Sequence, residues 1–237
     1  MEFKTDALLL RATDYGESDK IITLLTADRG KLTAGIKGVK KAGAKLRFAA
    51  QPFCFAEYVF AEKGGRNTVT SASLYDGFYS LREDVEKFFA GAAALEICEK
   101  LSGENEKSAE LLVAAVTALK EITEEEPSFP LVKFLLKALK LAGYPVRAGA
   151  CASCGNPLSG RMRFDLSGGA FQCEACEGVP ASESTYLTVR AALTGGEHTE
   201  DGARRALRLL RTYFTYQTDD DLPAIGEYLK LLQPVKT

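Results

Sequence analysis

The sequence has few of the residues and motifs on which enzymes depend. Its single histidine, His198, lies in a loop-like, glycine-containing segment, whereas general acid–base catalysis most often uses histidine. The chain also lacks the G-x-x-x-x-G-K-[ST], G-x-S-x-G and H-E-x-x-H patterns, which mark ATP use and hydrolysis. We therefore predict an exposed loop role for His198 and a protein that is not an enzyme. The alternative, a hydrolase with a hidden site, requires turnover that chelation or a point mutation abolishes.

Long apolar runs are also missing from the sequence. No stretch approaches the roughly 20 apolar residues that cross a membrane, and the run Ala7–Leu10 is too short for the core of a signal peptide. These absences predict a cytoplasmic protein with no membrane partner. Because thiols stay reduced in the cytoplasm, we expect the clustered cysteines to bind a metal rather than to form disulfides.

Four of the six cysteines form two C-x-x-C pairs with eighteen residues between them: Cys151, Cys154, Cys173 and Cys176. Each pair makes a tight turn that directs two thiolates at one ion, and Gly155 supplies the backbone freedom. Four protein thiolates leave no open coordination position, so the spacing predicts one structural zinc ion. The alternatives are four unrelated buried cysteines or a redox pair. Cys54 and Cys98 lack partners at ligand spacing and are predicted to be small core residues.

The first 80 residues carry short runs rich in aliphatic, aromatic and threonine residues, separated by turn sequences. These runs predict five strands, at about 4–12, 20–26, 31–37, 51–61 and 68–74. Five short strands in about 75 residues favour a closed oligonucleotide-binding (OB) barrel, a fold that binds nucleic acid on one face. Phe53, Phe55 and Phe60 are expected to fill this barrel, with stacking on bases as the alternative.

Apolar residues recur with helical period from Asp84 onward. The pattern predicts one helix from about residue 85 and five more at about 108–122, 129–142, 184–193, 200–216 and 223–232. The cysteine segment, at about 148–180, interrupts this helical region. We therefore predict an α+β protein, with an OB-fold DNA-binding domain at 1–80 and a helical domain at 81–237 that carries the zinc module.

Positive charge is concentrated near the N-terminus. Residues 1–70 contain 12 Lys and Arg against 8 Asp and Glu, although the whole chain has a formal net charge of −2. Seven cations occur from residue 29 to residue 47 with no acidic residue among them: Arg29, Lys31, Lys37, Lys40, Lys41, Lys45 and Arg47. Interleaved glycines let the backbone approach a phosphate chain closely. We predict that this basic segment binds DNA phosphates; an ordinary solvated turn is the alternative.

A second basic feature occurs on the predicted helix at 200–216. Arg204, Arg208 and Arg211 share one face, and apolar residues such as Leu207 and Leu210 lie opposite. A solvated polar face is the default interpretation of such a stripe. The alternative hypothesis is that these arginines extend the DNA path from the barrel.

Seven segments are distinctive as a set. They are Asp6–Arg11, Tyr15–Thr26, Gly30–Lys31, Ile36–Lys41, Gln51–Phe53, Leu141–Tyr144 and Gly168–Cys173. In this order they resemble the RecO family of bacterial DNA repair and recombination mediators along nearly the whole chain. The resemblance implies an OB barrel followed by a helical domain with the zinc module. Because some RecO proteins lack the cysteines, it assigns the metal to the scaffold.

The resemblance also implies a function and a set of partners. RecO proteins bind single- and double-stranded DNA, anneal complementary strands, and work with RecR to load RecA onto strands coated by single-strand binding protein. A cytoplasmic, nucleoid-associated location follows from this work. A different class of function, an adaptor that binds proteins through the zinc module, is the alternative. Salt-sensitive binding to an oligonucleotide separates the two.

The acidic tail of single-strand binding protein is the partner segment whose chemistry the resemblance defines best. This tail ends in hydrophobic and carboxylate groups, so it needs an apolar groove with a cationic rim. Lys133, Lys137 and Lys140 lie along one side of the predicted helix at 129–142, and Phe134 and Leu141 lie on its other side. We predict that the tail binds there.

Overall fold

The computed structural model describes residues 1–232, which form two compact units that are each discontinuous in sequence. One unit contains residues 1–83 and 95–120, and the other contains residues 84–94 and the described chain from residue 121 onward. The predicted boundary near residue 80 therefore falls where the barrel strands end, but residues 95–120 belong to the same unit as those strands.

The first unit is built on a closed barrel of five strands. These are β1 (Glu2–Tyr15), β2 (Asp19–Thr26), β3 (Gly30–Ile36), β4 (Phe55–Lys63) and β5 (Arg66–Asp76). Neighbouring strands are antiparallel except at the closure, where a short parallel pairing places Ala34 beside Asn67 and Gly35 beside Thr68. The resulting order, β1-β2-β3-β5-β4 with β4 returning to β1, is that of an OB barrel. The predicted fold class is confirmed.

The barrel is filled by every second residue of its strands, as the two-residue period of a strand requires. On β4 the inward positions are Ala56, Tyr58 and Phe60, each with no exposed surface. The expectation that Phe55 fills the barrel is wrong, because it has the opposite parity; its ring packs instead against Tyr75, with centroids 5.1 Å apart. Strand β4 also begins later than predicted, because a 3₁₀ turn at Phe48–Ala50 precedes it and Phe53 adopts a positive φ of 66°.

The helices follow the predicted order closely. They are α1 (Val85–Leu101), α2 (Ala109–Glu124), α3 (Ser128–Leu141), α4 (Glu183–Thr194), α5 (Glu200–Thr218) and α6 (Pro223–Leu231), and a 3₁₀ segment, Tyr79–Arg82, precedes α1. Side-chain caps mark the first turns of two helices. The Asp84 carboxylate accepts the Glu86 and Lys87 amides at the start of α1, and the Ser182 hydroxyl accepts the Thr185 amide at the start of α4. Amphipathic period and capping together account for these elements.

Residues 99–108 are hydrogen-bonded to the turn between β2 and β3. The Lys31 amide donates to the Gly103 carbonyl at 2.8 Å, and the Lys31 ammonium donates to the Glu99 carbonyl at 2.9 Å. The Asn105 amide donates to the Arg29 carbonyl at 2.9 Å. These bonds join the end of α1 and the loop after it to the barrel.

The second unit combines helices α3–α6 with a small antiparallel sheet. The sheet has the order β7-β6-β8 and consists of β6 (Met162–Asp165), β7 (Ala170–Cys173) and β8 (Val179–Ala181). Among the helices, Leu207, Phe214 and Ile225 are fully buried. The hydroxyls of Ser128 and Tyr228 lie 2.8 Å apart and satisfy each other in this core. Within the described chain, no helix is long and apolar enough to cross a membrane.

Candidate metal centre and nucleic-acid interface

The structure brings the four predicted cysteine ligands together. Their sulfur atoms all lie within 4.8 Å of one another, with separations of 3.7 Å between Cys151 and Cys176, 3.6 Å between Cys154 and Cys173, and 3.5 Å between Cys173 and Cys176. A tetrahedral ion with metal–sulfur bonds of about 2.3 Å requires sulfur–sulfur separations of about 3.8 Å. The cluster therefore has the size and the ligand set of a four-thiolate metal site.

Backbone geometry accounts for this convergence. The first cysteine turn closes when the Gly155 amide donates to the Cys151 carbonyl at 2.9 Å, with Gly155 at a φ of 75°. The turn lies along β7, because the Ala152 amide donates to the Phe171 carbonyl at 3.2 Å. The second turn closes from Cys176 to Cys173, directly after β7 ends. The small sheet thus positions both turns so that their four sulfur atoms converge.

Hydrogen bonds within the cluster shift the pKa values of its thiols in opposite directions. Amide donors at Cys154 and Cys173 lower the pKa of Cys151 to about 6, so this sulfur carries negative charge at neutral pH. The neighbouring thiols Cys173 and Cys151 raise the pKa of Cys176 to about 12. Four thiolates in so small a space would repel one another, and a cation held among them would offset this repulsion.

Cys54 and Cys98 are buried, as predicted for small core residues. Burial raises the pKa of both thiols, which keeps them protonated and inert as metal ligands. His198 is exposed, in agreement with its predicted loop position, and its ring stacks on Phe129 with centroids 3.5 Å apart.

Residues 37–47 of the basic segment lie in the long connection from β3 to β4. Five of its seven cations are exposed: Lys37, Lys40, Lys41, Lys45 and Arg47. Among the described residues, Lys37, Lys41 and Lys45 form no ion pair, although the charges of Lys37 and Lys41 contribute to the lowered pKa of Asp19. Lys40 lies 2.7 Å from the Asp14 carboxylate, and the Arg47 guanidinium donates to the Lys41 carbonyl at 3.0 Å. The segment thus exposes cations that have no ion-pair partner, which we call open cations. The connection that carries them is held in place by the contacts of Lys40 and Arg47.

Two aspartates of the barrel hold the beginning of this segment. The Asp19 carboxylate accepts the Gly38 amide at 2.7 Å, and this bond is the main reason that the pKa of Asp19 is lowered. Lys40, followed by Lys20, lowers the pKa of Asp14. Both carboxylates therefore stay charged at neutral pH. These anchors could not be predicted from the sequence, because the pairs Asp19–Gly38 and Asp14–Lys40 are separated by 19 and 26 residues and nothing local marks the pairing.

The first two cations of the predicted site, Arg29 and Lys31, are held by the barrel unit. The Arg29 guanidinium stacks over the Phe3 ring, 3.7 Å from its centroid, and lies 3.9 Å from the Glu62 carboxylate. Lys31 is half-buried and donates to the Glu99 carbonyl. Both contribute positive potential, but their side chains are less available than those of the open cations.

The arginine face of α5 differs from the basic segment. Arg211 makes two hydrogen bonds to the Asp221 carboxylate, at 2.8 and 2.6 Å, and Arg204 lies 3.8 Å from Glu200. Arg208 is exposed and has no ion-pair partner in the described chain. One of the three predicted arginines is therefore open to an anionic partner.

The predicted tail site on α3 contains one lysine beside a carboxylate and two lysines that are exposed to solvent. Lys133 lies 2.6 Å from the Glu121 carboxylate, whereas Lys137 and Lys140 are exposed. Phe134 is buried in the second unit with 3% exposure, but Leu141 at the helix end is 38% exposed. The apolar surface available beside these lysines is therefore that of Leu141.

Comparison with protein families agrees with this architecture. The model described as Recombination protein O N terminal matches residues 1–78, and the model described as Recombination protein O C terminal matches residues 82–224. The chain belongs to the RecO family. The resemblance seen in the sequence is confirmed, and the two matched regions cover the barrel and most of the helical part.

Similar proteins in other bacteria are named DNA repair protein RecO. The protein of Myxococcus xanthus is 35% identical over 207 residues, covering 86% of this chain and 84% of its own length. That of Anaeromyxobacter strain Fw109-5 is 30% identical over 231 residues, covering 95% and 90%. That of Alkaliphilus metalliredigens is 30% identical over 196 residues, covering 81% and 80%. As a RecO family member, this chain is a DNA repair protein.

Proposed function

We propose that this RecO family member binds single- and double-stranded DNA by its phosphates and anneals complementary strands, without acting as an enzyme. The observation that carries this proposal is the acid-free basic segment, where Lys37, Lys41 and Lys45 are exposed and have no ion-pair partner in residues 1–232. Arg208 on α5 is a further exposed cation without an ion-pair partner in the described chain. Lys40 supports the segment by neutralising Asp14.

The annealing mechanism is electrostatic. Two complementary strands repel each other through their phosphates, and lysines that replace condensed counterions reduce this repulsion. Flexible ammonium groups on a glycine-containing connection contact phosphates without reading base edges, so any sequence is accepted. Base pairing then supplies the free energy that drives annealing. No covalent bond is made or broken, and the protein needs only to hold the strands close together.

Zinc is the metal that we propose for the four-cysteine cluster. Four thiolates at tetrahedral spacing suit zinc, and they leave no position for a reactive water molecule. The ion would supply folding free energy by holding the two cysteine turns against β7. The cysteines Cys151, Cys154, Cys173 and Cys176 would hold it.

The proposed partners are RecR, single-strand binding protein and, indirectly, RecA, which is loaded onto coated strands. For the acidic tail of single-strand binding protein, the exposed Lys137 and Lys140 beside Leu141 offer cations next to apolar surface, and Lys133 contributes beside Glu121. A tail that ends in apolar and carboxylate groups has complementary chemistry. The proposed location of this work is the bacterial cytoplasm, on the nucleoid.

The experiment that tests the proposed function is a salt titration of DNA binding. A labelled single strand is titrated with the full-length protein and with the triple variant Lys37→Ala, Lys41→Ala and Lys45→Ala. Each phosphate contact contributes roughly 0.7 to the slope of log affinity against log salt, so the triple variant should flatten the slope by about 2. Annealing should slow in parallel, for oligonucleotides of any sequence.

The thermal midpoint of the triple variant serves as the control, because exposed lysines lose little packing. A wild-type protein that binds no DNA at low salt would reject the function itself. A triple variant with unchanged affinity and slope would instead reject the basic segment as its site.

A further inference from the structure

A cleft of about 610 Å³ lies beside the four-cysteine cluster, in the part of the second unit that carries β6, β7 and the two cysteine turns. Its volume is within the range of about 300–1,000 Å³ that is typical of ligand sites. None of the residues that line it is a lysine or an arginine. Apart from Cys176, the polar side chains of the lining are Ser153, Asp165, Ser167, Gln172, Glu177 and Tyr216.

Gln172 gives this cleft a buried acceptor that has no donor. The residue is 6% exposed, and its amide oxygen, Oε1, has no hydrogen-bond partner in the described chain. A buried acceptor without a donor is destabilising, and such groups are rare in native proteins. A ligand that donates an N–H group from within the cleft would satisfy this oxygen.

Arg163 is the neighbouring cation, and its guanidinium is used elsewhere. It is the cross-strand partner of Gln172, so the two side chains project from the same face of the small sheet. The Arg163 guanidinium donates to the Glu174 carbonyl at 3.2 Å and to the Gly178 carbonyl at 3.0 Å. Arg163 therefore holds the segment 174–178, which forms one wall of the cleft, and the oxygen of Gln172 stays without a donor.

Glu177 gives the cleft a negative charge. It is exposed and forms no ion pair within residues 1–232. Asp165 is a second carboxylate of the lining, but the Ser167 amide and hydroxyl donate to it at 2.9 and 2.8 Å. The Ser167 hydroxyl is the main reason that the pKa of Asp165 is lowered, and the charge of Arg147 contributes as well. Glu177 is therefore the acid that is more available to a cationic ligand.

Tyr216 adds an aromatic surface to the same cleft. Its side chain lies near the end of α5 and is 58% exposed. A guanidinium group is planar and stacks on such a ring, pairs with a carboxylate through two hydrogen bonds, and has five N–H groups to donate. An ammonium group is a compact charge without a planar surface. A ring, a carboxylate and an unpartnered amide oxygen together therefore favour a guanidinium.

Other classes of ligand fit this lining less well. A phosphate chain would meet Glu177 and Asp165 with no lysine or arginine in the lining to balance them. A calcium ion takes six to eight oxygen ligands. Within the described chain, the four cysteines are the one group of three or more acidic, cysteine or histidine side chains that lie close enough together to hold a metal ion.

We infer that this cleft binds an arginine side chain of a partner protein, with the guanidinium stacked on Tyr216, paired with Glu177 and donating to Gln172. The volume of the cleft exceeds that of one side chain, so residues beside the arginine also fit. The inference is independent of the proposed DNA binding, which uses cations that lie outside the cleft.

The first test titrates the full-length protein with a blocked tripeptide that has arginine between two alanines. By NMR, the side-chain amide of Gln172 and the backbone amide of Glu177 should shift saturably, with a dissociation constant on the order of millimolar, because one side chain makes few contacts. A citrulline peptide keeps the shape and loses the charge, so it should bind about fivefold more weakly. A lysine peptide should bind about threefold more weakly, since it keeps the charge and loses the planar group.

The second test removes the charge and the ring from the cleft. Glu177→Gln and Tyr216→Leu should each weaken the arginine peptide by about threefold to fivefold. Both residues are exposed, so folding is not at risk. The matched control is Glu174→Gln, which removes the same charge from an exposed residue of the same segment outside the cleft lining. It should change the affinity by less than about twofold, because a solvated charge outside the site is screened.

The third test removes the buried acceptor. Gln172→Met keeps nearly the same size and should weaken the peptide by about threefold. Its thermal midpoint should equal or exceed that of the wild type, because the free protein no longer buries an unpartnered oxygen. A purely structural role for Gln172 predicts the opposite, a lower midpoint with unchanged peptide affinity. Metal analysis of the variant reports whether the cysteine cluster is intact.

The outcomes divide as follows. Binding that prefers arginine, and that falls in Glu177→Gln and Tyr216→Leu but not in Glu174→Gln, supports the inference. Equal affinity for the arginine and citrulline peptides, or equal losses in Glu177→Gln and Glu174→Gln, would overturn it. A Glu177→Gln protein that gains DNA affinity while its peptide affinity is unchanged would assign the cleft to the DNA path and would also overturn it.

Discussion

The two compact units of this protein differ in how many of their predicted anion-binding cations have a carboxylate partner. In the barrel unit, Lys37, Lys41 and Lys45 extend from an anchored connection and have no ion-pair partner in the described chain. In the helical unit, Arg211 is bound twice by Asp221, and Lys133 by Glu121. Counting cations therefore overstates the helical unit as a phosphate-binding surface. Carboxylate neighbours, more than the number of cations, determine where an anionic strand can bind.

The units also differ in what closes them. The barrel closes through backbone pairing between β3 and β5, whereas the cysteine module of the helical unit depends on four thiolates meeting at one point. Backbone hydrogen bonds therefore close the barrel, whereas the zinc ion that we propose would close the cysteine module.

The largest effect that we expect is on the cysteine module. Cys173→Ser should remove most of the bound zinc and lower the free energy of unfolding by several kcal/mol, because binding of a structural ion contributes directly to folding. Metal analysis and thermal melting measure the two losses. Ser153→Ala, in the same module but not a ligand, should keep both zinc and stability. A zinc-free Cys173→Ser protein that melts like wild type would contradict the structural role.

Two single substitutions on α5 should distinguish an arginine that stabilises the fold through an ion pair from an arginine that is exposed and unpaired in the described chain. Arg211→Ala should lower the free energy of unfolding by about 1 kcal/mol, because it breaks a partly exposed ion pair, and should leave DNA binding nearly unchanged. Arg208→Ala should leave stability unchanged and flatten the salt slope by at most about 0.7. Denaturant unfolding and DNA titration measure the two effects. The opposite pattern would mean that ion pairing does not determine the role of these arginines.

The same logic applies to the lysines of α3. Lys140→Gln should weaken an acidic tail peptide of single-strand binding protein by about threefold, since it removes an exposed charge worth less than about 1 kcal/mol. Lys133→Gln should have a smaller effect, because Glu121 already neutralises Lys133. Calorimetric titration of the peptide compares the two. Equal binding by wild type and both variants would place the tail on another surface.

The smallest effect concerns the anchor of the basic segment. The pKa of Asp19 is lowered in the folded protein, chiefly by the Gly38 amide, so its stabilising contribution is present at neutral pH. This contribution is lost as the pH falls below about 4, through the lowered pKa. The Gly38 amide resonance should therefore shift in that range by NMR. Asp19→Asn should remove the titration, and a shift that persists in this variant would assign it to another group.

Much of the fold could be predicted because its signals are local. Strands with two-residue alternation and helices with amphipathic period appear in the sequence within a few residues of their observed bounds. The three strands of the cysteine module were missed, since β6, β7 and β8 contain only four, four and three residues. Runs this short show no measurable period.

The same distinction between local and distant signals explains which parts of the candidate sites could be predicted. Cysteine ligands could be predicted because their spacing is set by a turn, which is local chemistry. Whether a given cation is paired with a carboxylate could not be predicted, because the partner lies elsewhere in the chain. Asp14 is the partner of Lys40, and Asp221 is the partner of Arg211.

The bonds that residues 99–108 make to the β2–β3 turn limit how this protein can be divided. A fragment that ends after β5 would leave the Lys31 amide and the Arg29 carbonyl without the partners that Gly103 and Asn105 provide. The barrel is therefore not a portable module, although its strands are contiguous in sequence. Chimeras that exchange barrels between family members should carry the later segment from the same parent, or the graft will place a foreign loop against the turn that holds Arg29 and Lys31.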